Sequence, residues 1–335
     1  MKERTVNWFA RIAVAAAIGL GCAATSFAAE KIKVAAITDP GYHAALWAVL
    51  NHKVSDPSVD LTVDMMPIPA MIQASMTQQY DIIPNGVLAI PQMAEAGINP
   101  LIIGTMIRHI AGPGNHTTDI WVKADSPIKS IEDLKGKRIA VTSLEAQDVV
   151  SRRAVLSEKY GLNASAIGGD FTWVEIPSAQ FEAALDAGRV DAVCFSNVLA
   201  YKIAQSGKYR SILQGSKDLI EMYGGPMPTV VEMGYKEKME AKPEAYIAAA
   251  KLLRASAEYV LAHQDEVFSD VASKYNMTAE DLKGWFTTYA GMPFAIGPTD
   301  EAVYLKAWQS GQKLGVLAKA PESAAPFIWE HAIKE

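Results

Sequence analysis

An internal repeat constrains this chain more than any other feature. Lys31–Ile37 has strand composition and ends in the turn residues Thr38-Asp39-Pro40-Gly41, after which Tyr42 to Leu50 reads as a helix. Lys137–Val141 repeats the strand. Thr142 and Glu145 then spell a T-x-x-E capping box for a helix that runs to about Tyr160 and stops at Gly161. Further along, Leu61–Met66, Ile68-Pro69 and a helix from Ala70 to Gln79 lead into Asp81–Ala89. Their counterparts are Phe171–Glu175, Ile176-Pro177, a helix from Ser178 to Ala187 closed by Gly188, and Asp191–Ala200.

The spacing of the two copies is nearly constant. Ile32 to Arg138 is 106 positions, Pro69 to Pro177 is 108, and Asp81 to Asp191 is 110. Three matches in order, with the same element types, predict an α/β protein made of two similar three-layer βαβ lobes with parallel sheets. Ligands of such sheets bind beyond the carboxyl ends of the strands. In both copies that edge carries the loops before helix starts: Asp39–His43, Asn85-Gly86, Ser143-Leu144-Glu145 and Ser196-Asn197. Four helix starts facing one cleft would offer free backbone N–H groups and positive dipole ends to an anionic or strongly polar ligand. The same Ser, Thr and Asn residues also suit simple helix capping, and Glu145 most simply caps its own helix.

Tyr42, Trp47, Phe195 and Tyr223 are the aromatics near this edge; Tyr42 is placed to stack on a planar ligand, and Trp47 fits a core position. His43, Arg108 and His116, with Thr117 beside it, are candidate donors to an acid group. Asp119–Lys123 leads out of the first copy and Met227–Met233 leads back, a paired crossing that suits a two-strand hinge. From Pro243 the pattern turns helical over Glu244–His263, Asp265–Tyr275, Ala279–Tyr289 and Asp300–Gly315, a tail expected to pack on the first lobe. The division is therefore 1–28 leader, 29–118 first part of lobe 1, 119–226 hinge strand and lobe 2, and 227–335 return strand and helices completing lobe 1.

The leader follows from Lys2, Arg4 and Arg11 ahead of the apolar run Ile12–Ala24, with Ser26-Phe27-Ala28 supplying small residues before a cut. The run is about 13 residues where a bilayer core needs ~20, so it reads as a secretory signal rather than a span. Cys22 follows Gly19-Leu20-Gly21, a weak match to a lipoprotein motif. A cut after Ala28 leaves 307 residues with 28 basic against 36 acidic side chains, a balance that disfavours nucleic acid. Cys194 then stands alone in an apolar run and reads as a buried hydrophobe. There is no G-x-G-x-x-G after a strand, no phosphate loop at Gly112-Pro-Gly114 and no G-x-S-x-G. None of the six histidines has zinc-helix spacing. No catalytic residue, metal or cofactor is expected.

The stretch Trp121–Val141 (Trp-Val-Lys-Ala-Asp-Ser-Pro-Ile-Lys-Ser-Ile-Glu-Asp-Leu-Lys-Gly-Lys-Arg-Ile-Ala-Val) resembles the lobe-crossing segment of solute-binding proteins of ABC importers, in the group of nitrate, taurine, aliphatic-sulfonate and thiamine-precursor binders. Ala184–Val193 resembles the helix-to-strand step of their second lobe. The likeness extends over most of residues 31–315 and departs at Leu46–Val54, where the group often has A-x-x-x-G-x-F. It implies a type II, Venus-flytrap periplasmic protein, monomeric, that hands a solute to membrane permease subunits. The expected solute is a sulfonate or taurine-like anion, then an aromatic carboxylate, then a planar pyrimidine. An exported enzyme or a sensory binding protein on the same scaffold are the alternatives. The cysteine-rich cluster of the related suicidal pyrimidine synthases is missing.

Overall fold

The computed structural model describes residues 29–110 and 114–335, so the expected leader with Cys22 and residues 111–113 lie outside the described residues. The chain opens with β1 (Glu30–Ile37), α1 (Pro40–Ala45), α2 (Trp47–Leu50), β2 (Val59–Met66), α3 (Ile68–Met76), β3 (Ile83–Asn85), α4 (Ala89–Glu95) and the long β4 (Pro100–His109). Ile32, Val34, Ala35, Ala36 and Ile37 are all buried, the near-continuous apolar run of a strand covered on both faces. At the edge, β2 alternates instead, with Asp60, Thr62 and Asp64 more exposed than their neighbours Val59, Leu61 and Val63, which discourages pairing with another chain.

Lobe 2 follows with β5 (Trp121–Lys123), β6 (Arg138–Val141), α5 (Gln147–Ala154), β7 (Thr172–Glu175), α6 (Phe181–Asp186), β8 (Ala192–Val193), α7 (Asn197–Ser206), β9 (Tyr209–Ser211) and α8 (Gly215–Tyr223). The chain then returns through β10 (Pro228–Tyr235) and ends in α9 (Lys236–Ala241), α10 (Pro243–Ala262), α11 (Gln264–Lys274), α12 (Ala279–Thr288), β11 (Ala290–Gly291) and α13 (Asp300–Lys313).

Strand order shows the repeat most plainly. In lobe 2 it is β7-β6-β8-β5-β9. In lobe 1 β2 pairs with β1, β1 is bridged to β3 through Val34 and Ile82, and β10 lies between β3 and β4, giving β2-β1-β3-β10-β4. The βαβ units are parallel, as expected. The sheets as wholes are mixed: β10 runs antiparallel to β3 and β4, and β5 antiparallel to β8 and β9. The reason is geometric, because each of these strands enters its sheet from the other lobe and so runs against the βαβ direction.

The crossings lie side by side, with the His109 N–H donating to the Met227 carbonyl at 3.1 Å. The buried Asp119 carboxylate fastens the outgoing crossing to lobe 2, taking His116 Nδ1 at 2.6 Å, Ser211 Oγ at 2.6 Å and the Gly215 N–H at 2.9 Å. The C-terminal helices complete lobe 1: α10 packs on α2 and β1, with Ala249, Leu253 and Val260 among its buried residues, and α11 lies on α1. In addition, α12 reaches α7 and α13 reaches α5, so the tail also touches lobe 2.

Two local expectations are corrected. The helix read over Tyr42–Leu50 is two short helices broken at Leu46, whose ψ of 0° leaves the helical range. The Thr142–Glu145 capping box does not form. Glu175 Oε1 on β7 accepts the Leu144 N–H at 2.7 Å and Ser143 to Ala146 closes a turn, so α5 starts only at Gln147 with Ala146 as its cap. No helix among the described residues is long and apolar enough to cross a membrane.

Candidate functional site

The carboxyl edges of both sheets face a cavity of about 460 Å³ between the lobes. Lobe 1 supplies Ile37 at the end of β1 and Asp39 after it, Tyr42 on α1, Met71 on α3, Asn85 at the end of β3 and Gly86 after it, Leu88 before α4, and Ile107 and Val230 from β4 and β10. Lobe 2 supplies Thr142, Glu145, Gln147 and Asp148 around the start of α5, Phe181 on α6, and Cys194, Ser196, Asn197 and Leu199 around β8 and α7. Tyr275 and Met277 close it from the link between α11 and α12. The wall is thus largely apolar with a few polar groups, the usual composition of a small-molecule site.

Among the sequence candidates, Tyr42, Asn85, Gly86, Ser196 and Asn197 line the cavity. Ser143 and Leu144 sit next to the lining residues Thr142 and Glu145 without lining it themselves. The remaining five are placed elsewhere. His43 turns toward Tyr275, with Nδ1 3.1 Å from the hydroxyl. Arg108 is consumed by Asp300 at 2.9 Å, Glu335 at 3.0 Å and the Ala295 carbonyl. His116 and Thr117 belong to the crossing, and Tyr223 is buried at the end of α8. Trp47 and Phe195 are core residues, as Trp47 was expected to be.

The lobes touch across the cavity. Asn197 Nδ2 lies 3.4 Å from Asp39 Oδ2, and Gln147 Oε1 accepts the Leu88 N–H at 3.0 Å. Gly86 is required at this approach, since a Cβ there would stand 2.7 Å from Gln147 Cβ. Asn197 adopts a φ of 53°, a left-handed conformation that asparagine tolerates better than most residues. On the far side Gly284 on α12 admits the Tyr201 ring of α7 with no room for a side chain. These contacts describe closed lobes.

Sequence reasoning missed the organiser of the lobe 2 wall. Arg152 is fully buried and spends its guanidinium on five acceptors: Asp148 Oδ2 at 2.6 Å, the Asp119, Thr117 and Phe195 carbonyls at 3.1, 2.8 and 2.6 Å, and Ser196 Oγ at 3.1 Å. Ser196 also donates to Asp148 Oδ2 at 2.5 Å. One side chain therefore ties the crossing to the starts of α5 and α7. Nothing in Ser151-Arg152-Arg153 distinguishes it from a solvated helix face.

Lobe 1 differs. Tyr42 donates its hydroxyl to Glu232 on β10, a carboxylate buried behind the cavity wall; burial pushes Glu232 up to about 8. Its Oε2 and Asn85 Nδ2 are buried without hydrogen-bond partners. Burial also raises the Asp39 carboxyl above its ordinary value, against the lowering effect of the Tyr42 N–H, the Asn197 amide and the Gly41 N–H. Sequence reasoning missed this pair too; a glutamate inside the apolar run Val230-Val231-Glu232-Met233 is the signal that could have found it. Cys194 is buried, its thiol pushed up to about 12 by burial, which leaves no thiolate to act as a nucleophile at neutral pH.

Two lobes of one strand order, joined by paired crossings around a cavity, are the fold of periplasmic binding proteins. Three solved structures share it. The periplasmic aliphatic sulphonate binding protein SsuA from Escherichia coli is 16% identical, with a TM-score of 0.68 over 91% of this chain and 94% of that one. The alkanesulfonate-binding protein SsuA from Xanthomonas axonopodis pv. citri, bound to MOPS, is 18% identical with a TM-score of 0.66 over 90% and 99%. Protein AF1704 from Archaeoglobus fulgidus is 17% identical with a TM-score of 0.69 over 86% and 98%. Within the chain, residues 103–267 match the NMT1/THI5-like family model. No curated protein sequence matches the chain significantly.

Proposed function

We propose that this protein is the extracytoplasmic solute-binding component of an ABC importer, which closes on a small organic solute between its lobes and delivers it to membrane permease subunits. The observation that carries this is the cavity itself, walled by both lobes and spanned by the Asp39–Asn197 and Leu88–Gln147 contacts, so that occupancy and closure are one event. On this reading it works as a monomer in the periplasm after loss of residues 1–28, with lobe 2 spanning about 119–226. The NMT1/THI5-like match and the sulfonate-binding neighbours support the transport role.

The anionic solute expected from the sequence draws support from those neighbours' names, but the helix starts meant to hold it are partly filled. Asp39 caps α1, accepting the Tyr42 N–H at 3.0 Å, and Gln147 takes the Leu88 N–H ahead of α4. The test is a thermal-shift screen of amines, sulfonates, carboxylates and pyrimidines, with small-angle scattering on any hit. A true solute raises the melting temperature by mass action and holds the particle compact. A protein that responds to no solute, and whose compactness is unaffected by Gly86→Val, would end this proposal.

A further inference from the structure

The cavity combines three carboxylates, Asp39, Glu145 and Asp148, with no lysine, arginine or histidine among its described lining residues. The three acids are not equivalent. Glu145 is exposed at the mouth, and Asp148 is matched by the buried guanidinium of Arg152 at 2.6 Å. Among the described residues Asp39 has no cationic side chain within salt-bridge distance; its partners there are neutral, the Tyr42 N–H and the Asn197 amide. A second, independent feature lies on the same wall. Asn85 is 2% exposed and its carboxamide nitrogen is buried with no partner among the described residues, an unusual state for a group whose desolvation costs energy unless something pairs with it.

A sulfonate or carboxylate placed here would meet Asp39 in a space of low dielectric with no cationic side chain to offset it, an arrangement that specificity usually avoids. A protonated amine meets a carboxylate that lacks a cation. We infer that the cleft takes an organic cation, a protonated amine on an apolar body, with its charge at Asp39 and a polar substituent at Asn85. This rests on the solute-binding reading and specifies the chemistry of that site. Asn197, reaching Asp39 from lobe 2, then makes the cation's seat a joint property of the two lobes, so the charge is fully enclosed only when they close. The apolar body lies against Ile37, Met71 and Phe181.

The test uses probes of matched size and opposite charge: benzylamine and phenethylamine against benzenesulfonate and phenylacetate, each titrated by thermal shift and calorimetry. Stabilisation by the amines alone is the expected result; stabilisation by the sulfonate or the carboxylate overturns the inference. If none of the four stabilises the protein, it is incubated with a small-molecule cell extract, desalted and denatured, and the released solute is identified by mass spectrometry. A released amine supports the inference, and a released anion or neutral solute overturns it while leaving the solute-binding reading intact. Release of nothing ends both. Asp39→Asn keeps an oxygen for the α1 cap and removes the charge, and it should weaken an amine about tenfold or more. Asn85→Ala, which does not touch that cap, should weaken it severalfold. An amine that binds Asp39→Asn as tightly as the native protein overturns the assignment.

Discussion

Lobes 1 and 2 present equivalent loops to one cavity and treat their polar groups in opposite ways. After its first strand, lobe 1 places Asp39, which caps α1 and still faces the cavity; lobe 2 places Thr142 to Glu145, which cap nothing. After its third strand, lobe 1 leaves Asn85 without a partner for its amide nitrogen, whereas lobe 2 puts Ser196 into the Arg152–Asp148 network. A wall whose hydrogen bonds are already made can move as a rigid body without gaining or losing polar contacts. A wall with open polar groups has affinity to offer. On the proposed solute-binding reading, the comparison assigns recognition chiefly to lobe 1 and closure chiefly to lobe 2.

Removing the organiser of lobe 2 should produce the largest effect. Arg152→Met leaves the part-buried Asp148 without its cation and three buried carbonyl contacts without donors, and the expected loss is about 3 kcal/mol in denaturant unfolding. Arg152→Lys, with a single ammonium for five acceptors, should recover only part of it.

The lobe 1 acid should show itself as a pH dependence. Glu232 has its carboxyl raised to about 8 against an ordinary 4.5, so the folded state binds more protons than the unfolded state between those values. Its contribution is fully present below about pH 4.5, declines as pH rises toward 8 and is flat above, a change on the order of 5 kcal/mol. Glu232→Gln should remove that slope, and identical stability–pH curves for the two proteins would contradict the buried assignment.

Closure is the third target. Gly86→Val places a side chain against Gln147 and should hold the lobes apart, seen as a larger radius of gyration in the presence of solute and an affinity lowered about tenfold, with little change in the unfolding midpoint of the free protein. The smallest effects contrast two T-x-x-acid sequences. Thr278 and Asp281 form a real capping box on α12, and Thr278→Ala should cost about 1 kcal/mol. Thr142→Ala should change stability by less than about 0.5 kcal/mol, because the helix there starts five residues later.

Those two motifs show where sequence reading succeeds and stops. A capping box is legible as wording, but whether it forms depends on competitors such as Glu175, which comes from another strand. The repeated βαβ plan was legible because apolar periodicity and turn residues are local. The antiparallel β5 and β10 were not, since their partners are set by which lobe the chain enters from. At the site, the four loops before helix starts were found from the edge rule, and Tyr42, Asn85, Gly86, Ser196 and Asn197 reached the cavity. Arg108 and His116 did not, because Arg108 pairs with Asp300, distant in sequence, and the His116 ring is held by Asp119 within the crossing. Tyr275 and Met277 line the cavity from more than 230 residues beyond Tyr42, and no local pattern marks them.

The placement of β10 between β3 and β4 also fixes an order of assembly. Lobe 2 is built from one uninterrupted stretch, and its sheet is closed once Ser211 has been made. Lobe 1 lacks a central strand until Tyr235 has joined residues made more than a hundred positions earlier, and it lacks its helical cover until α10 and α11 follow. Loop closure over such a span is slow to nucleate, and the unfilled gap between β3 and β4 exposes two strand edges in the meantime. A chain emerging from its amino end would thus complete its second lobe first, while the lobe that holds Asp39 and Asn85 waits for the tail.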